Sequence, residues 1–128
     1  MFRLGLIRVI GEAKKSCLTD FDLKPLHSYV LKFLKSKNKM IRMRAITALN
    51  GVGDVADYEV LKNIVFDGDD AEARAAIDSI ILIEPNYGVD YVKNLSDSIN
   101  NEMLYTYAKE RASYFSKYHF SSVKCNNQ

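Results

Sequence analysis

The sequence predicts an all-α fold: a short α-solenoid of antiparallel helix pairs, about three pairs preceded by half of another. Three observations point there. Helix breakers are scarce, with two prolines and six glycines in 128 residues. Apolar residues recur at three- and four-residue spacing and stop at "NGVGD", "DGDD" and "EPNYG", which are turn sequences. The chain also matches itself when slid by 31 positions. Val30, Leu61 and Val92 then align, as do Phe33, Ile64 and Leu95, and so do Asn38, Asp69 and Asn100. The last set falls just before helical runs, where Asn and Asp serve as N-caps by accepting bonds from free first-turn amides.

The elements follow in order. A first helix covers about 3–14, and the loop "SCLTDFDL" leads to Pro25, suited to a first turn because its missing N–H is not needed there. Helix 24–36 pairs with 39–50, 55–66 with 70–83, and 87–97 with 100–118. The repeat core spans about 3–118 of a single domain over 1–128, and the tail from 119 is expected to fray. In helix 39–50, Ile41, Ala45, Ile46, Ala48 and Leu49 cover an arc wider than one partner helix fills, with Arg44, Thr47 and Asn50 opposite. Such a helix needs neighbours before and behind it. Arg42 falls inside the arc, so its guanidinium must find acceptors or reach water. In the last helix, Tyr107, Ala108, Ala112 and Phe115 form the core face. At the other end, apolar surface around Leu4, Leu6 and Ile7 is expected to need a cap, from a partner or a weak dimer.

The stretch "IRMRAITALNGVGD" resembles the second helix of a HEAT-like repeat. Ile41 and Arg42 match its opening pair, Ala45, Ala48 and Leu49 its packing positions, and Gly53 and Asp54 its turn. The resemblance is best over 39–83 and weaker on either side, and Arg111 stands where a Leu belongs. It implies a structural role between repeats for Arg42 and Asp54, with Asp67, Asp69 or Asp70 as the partner of Arg42.

Composition narrows the function. A chain of this length buries a sizeable core. Cys17 and Cys125 are far apart and read as reduced thiols of a cytoplasmic protein, although a disulfide between them is open. The opening "MFRLGLIRVIGEAKK" is too interrupted by charge for a signal peptide, and no run approaches the ~20 apolar residues of a membrane span. No nucleophile–base pair, phosphate loop or metal-ligand spacing stands out, so no enzyme, cofactor or metal is expected. His27 and His119 read as ordinary surface or core residues.

Charge is more informative. Residues 1–50 hold eleven Lys/Arg against three Asp/Glu, net +8; residues 51–104 hold three against twelve, net −9; the remainder is +3, giving the total of +2. Such polarity concerns partners and association rates. The acidic candidates are Asp67, Asp69, Asp70, Glu72, Asp78, Glu84 and Asp90, with Arg74 and Asp78 spaced for a helical pair. A solenoid would present them as a face for a basic protein. The expected role is therefore protein binding: an immunity protein, of the contact-dependent inhibition kind, neutralising a basic nuclease toxin. The alternatives are a general scaffold, or a nucleic-acid binder using Lys32, Lys35, Lys37, Lys39, Arg42 and Arg44. Tyr105, Tyr114, Tyr118, His119 and Phe120 could then stack bases, or serve a protein interface equally well.

Overall fold

A computed structural model describes residues 2–18 and 22–118, with side chains from Leu4 onward. The described residues form seven α-helices and no strand: α1 (Phe2–Lys15), α2 (Lys24–Phe33), α3 (Lys39–Val52), α4 (Tyr58–Asp67), α5 (Asp70–Ile83), α6 (Pro85–Ser96) and α7 (Glu102–Lys117). A 3₁₀ turn, Val55–Asp57, precedes α4 and occupies what the periodicity assigns to the start of that helix. Asp54 caps this turn by accepting from Ala56 N (2.8 Å), and Asp57 Oδ2 accepts in return from Asp54 N (2.9 Å). His119, Phe120 and the rest of the tail lie outside the described residues.

The odd-numbered helices pack in series, α1 on α3, α3 on α5 and α5 on α7. The even-numbered helices lie against them: α2 on α3, α4 on α5, and α6 on both α5 and α7. The 31-residue alignment picks out the core. Val30, Leu61 and Val92 are each fully buried, a contribution of roughly 1.5–3 kcal/mol for a side chain of this kind. Phe33 and Ile64 pack against the core and Leu95 is buried in it. Ala108, Ala112 and Phe115 bury one face of α7, as its spacing predicts.

The cap set needs one correction. Asn38 accepts from Ile41 N and Asp69 from Glu72 N, but α7 is capped by Asn101, not Asn100, through Leu104 N at 3.0 Å. The spacing to this cap is one residue longer because the chain turns once more after α6, with Ser98 N and Ile99 N bonded back to Leu95 O and Ser96 O. Asn50 is also buried, not solvent-facing. Its Oδ1 lies 2.6 Å from Ser79 Oγ, which also lies 2.8 Å from Ile46 O, pinning α5 to α3.

Helices α1 and α3 cross at Gly11 and Gly51. A Cβ on Gly11 would overlap the Gly51 carbonyl, and one on Gly51 would overlap the Arg8 carbonyl, so both positions need glycine for close backbone approach. Leu4 and Ile7 are buried by this crossing, while Leu6 is 51% exposed and Val9 53%. The open apolar surface of α1 is thus Leu6 and Val9 instead of Leu4 and Ile7. Cys17, just beyond α1, is in a disulfide and not the reduced thiol expected; the chain's other cysteine, Cys125, lies outside the described residues.

Candidate partner-binding surface

Part of the charge separation along the chain is cancelled by the fold, because residues about thirty apart become neighbours. Arg42 meets Glu72 in a two-pronged pair, Nε to Oε2 at 3.0 Å and Nη2 to Oε1 at 3.2 Å. One turn earlier Lys39 Nζ lies 2.6 Å from Asp69 Oδ2. That bond holds the Asp69 carboxyl below its usual range and the Lys39 ammonium above its own. His27 Nε2 donates to the buried Asp57 at 2.7 Å, linking α2 to the 3₁₀ turn. The partner of Arg42 is therefore Glu72, not Asp67, Asp69 or Asp70. Asp54 acts locally, as a cap.

The next seam, between α5 and α7, is built around Asp78. Its carboxylate accepts from Tyr107 Oη (2.9 and 2.8 Å) and from Arg111 Nε (2.9 Å). Burial first, and then this carboxylate, push the Tyr107 hydroxyl up to about 12. Arg111 thus replaces an apolar residue with a bond to the preceding repeat. Arg74 turns away from Asp78: its Nε approaches Asp70 Oδ2 at 3.0 Å without hydrogen-bond alignment, and its guanidinium covers the Tyr107 ring at 5.0 Å.

Of the seven acidic candidates, Asp69, Asp70, Glu72 and Asp78 are thus engaged by internal cations. Glu72 sits in the α3–α5 seam and Asp78 in the α5–α7 seam, so the fold does not gather these four on one open flank. Asp67, at the end of α4, and Asp90, on α6, are exposed and make no ion pair among the described residues. Glu84 sits at the corner between α5 and α6, where its charge acts on Lys15 and Tyr58. Lys15 reaches across from α1 to the backbone oxygens of Asn50 (2.5 Å) and Leu82 (3.0 Å), at the ends of α3 and α5. Burial lowers its pKa.

The α4–α6 flank contains an aromatic group that periodicity does not reveal. Tyr58, Tyr87 and Tyr91 converge, with ring centroids 4.9 Å apart for Tyr58–Tyr91, 5.6 Å for Tyr58–Tyr87 and 6.4 Å for Tyr87–Tyr91. Gly88 makes the convergence possible: a Cβ there would overlap the Ile80 carbonyl, so α6 can press onto α5 only without one. Tyr58 is buried and donates from Oη to Ile80 O at 2.7 Å; burial, with the Glu84 charge second, raises its pKa. Tyr91 is raised by burial and then by the charge of Glu59. Tyr87 is 57% exposed. The flank thus presents tyrosine rings beside Glu59 and Glu84. The "EPNYG" turn and Tyr91 signal this group in the sequence, but only the crossing of α6 over α5 joins them to Tyr58.

Elsewhere, a groove of about 440 Å³ between α1 and α3 is lined by Leu4, Gly5, Arg8, Met43 and Arg44, among others. On and just after α2, Lys24, Lys32, Lys35 and Lys37 are exposed. Tyr105, Tyr114 and Tyr118 are exposed on α7 and at its end, and Tyr105 lies under Lys109 at 5.4 Å. Among the described residues no group of His, Cys, Asp and Glu is placed to hold a metal ion, and no helix is long and apolar enough to cross a membrane. No protein-family model, curated protein or solved structure matches the chain.

Proposed function

We propose that this chain is a short solenoid of HEAT-like repeats that binds another protein, and that the partner is a basic toxin domain of the nuclease kind, which it neutralises. The supporting observation is the α4–α6 flank, where Glu59, Asp67 and Asp90 are exposed and make no ion pair among the described residues, and Tyr87 is exposed on α6. Internal pairing in the α3–α5 and α5–α7 seams leaves Glu59, Asp67 and Asp90 on this flank as carboxylates open to a partner. Aromatic residues with a charged surround are the usual anchors of protein interfaces, and the negative potential would speed capture of a cationic partner. HEAT-like packing is supported by the serial contacts of the odd helices and by the bonds between residues about 30 apart.

The test is co-expression with the product of the adjacent open reading frame in a growth assay. Growth should be restored by the native chain and lost with the Glu59→Lys, Asp67→Lys, Asp90→Lys variant. Equal protection by the variant would refute the acidic-flank reading, and absence of a toxic neighbour or of any rescue would refute neutralisation. Asp69→Lys is a poor probe, because Asp69 also caps α5 and pairs with Lys39.

The exposed lysines of α2 and its loop favour a second reading, nucleic-acid binding. Retention of labelled tRNA or duplex DNA, falling steeply with salt and lost when these lysines become glutamine, would establish it.

A further inference from the structure

Three of the aromatic rings on α7 have cations of their own. Tyr107 lies under Arg74 and Arg111, Phe115 under Arg111, and Tyr105 under Lys109, at 5.0 to 5.7 Å. Tyr87 and Tyr91 differ: no Lys or Arg of the described chain covers them, and the charge of Glu59 acts on Tyr91. Ring faces are electron-rich and attract cations, most strongly where a carboxylate adds its field and the site is partly desolvated. Tyr58 forms a fixed floor, since its hydroxyl is tied to Ile80 O and its ring is buried. Lys15, on which the charge of Glu84 acts, is held by the Asn50 and Leu82 carbonyls.

We infer that Tyr87 and Tyr91, floored by Tyr58 and flanked by Glu59 and Glu84, form a docking site for an arginine side chain of a protein partner. This deepens the proposed protein-binding role and rests on it. Arginine suits the site better than lysine, because a planar guanidinium stacks on a ring while its edge donates to a carboxylate. The site is a surface anchor: it needs one guanidinium on the rings.

The experiment is an amide NMR titration of the full chain with an unstructured arginine–glycine peptide, alongside the same peptide with citrulline, the neutral isostere, in place of arginine. Arginine peptide should perturb Glu59, Tyr87 and Tyr91 first, and citrulline peptide should not. Tyr87→Ala and Glu59→Gln, both at exposed positions, should each weaken binding about five-fold. Tyr87→Phe should retain it. Perturbations centred elsewhere, equal binding of the citrulline peptide, or Tyr87→Ala binding within a factor of about two of the native chain with an unchanged spectrum, would overturn the proposal. Peptide binding at the tyrosines by a chain that rescues no toxin-expressing cell would refute neutralisation and leave the arginine site standing. Rescue undiminished by Tyr87→Ala would do the reverse.

Discussion

Arg42 and Glu72, thirty residues apart, close the seam between α3 and α5 with a fork-on-fork pair, and the same guanidinium donates from Nη1 to Ser36 O at 2.8 Å and Lys37 O at 3.2 Å. One side chain thus joins the α2–α3 loop to two helices. Glu72 is buried, so removing its partner leaves a desolvated charge, which costs more than the pair itself contributes. Arg42→Ala should lower the thermal midpoint further than Lys39→Ala, which opens only the exposed Lys39–Asp69 pair. Arg42→Lys should not rescue, because an ammonium cannot supply the fork. The double variant Arg42→Met, Glu72→Leu should recover most of the loss. Thermal unfolding followed by circular dichroism checks the order.

Two glycines of the α1–α3 region should separate cleanly. Gly51→Ala drives a methyl into the Arg8 carbonyl and should cost about 1–3 kcal/mol through forced separation of the helices. Gly5→Ala meets nothing within 4 Å and should stabilise by roughly 0.5–1 kcal/mol, the helix preference of Ala over Gly. Urea unfolding of the two variants reads both signs.

Alkaline titration should report the α5–α7 seam. The Tyr107 hydroxyl titrates at about 12 in the folded chain, raised from 10.0. A raised folded value means the proton is retained on folding, so its contribution is complete below pH 10 and is lost as pH rises through 12. Stability should fall over that window, and Tyr107→Phe should lessen the fall, the remainder coming from Tyr58 and Tyr91, whose values are raised as well. Tyrosinate absorbance, followed alongside unfolding, measures both.

The one-residue shift of the α7 cap has its own signature. Asn101→Ala removes the cap of α7 and should cost about 1 kcal/mol, whereas Asn100→Ala should be nearly neutral. Equal losses at the two positions would contradict the one-residue shift.

The sequence by itself determined the helices, their order and much of the core. Val30, Leu61 and Val92 are buried where the 31-residue match places them, because periodic burial is a local pattern that a helix preserves. The caps at Asn38 and Asp69 were legible for the same reason, each acting on amides within three residues. The tertiary structure decided which charges are available. Glu72 and Asp67 look alike in the chain, yet one is buried against Arg42 and the other is exposed, because their neighbours come from a helix about thirty residues away. Likewise only the close crossing at Gly88 brings Tyr87 and Tyr91 onto Tyr58. Contacts across a seam depend on interhelix distance and orientation, and those are set by packing that no single window of residues contains.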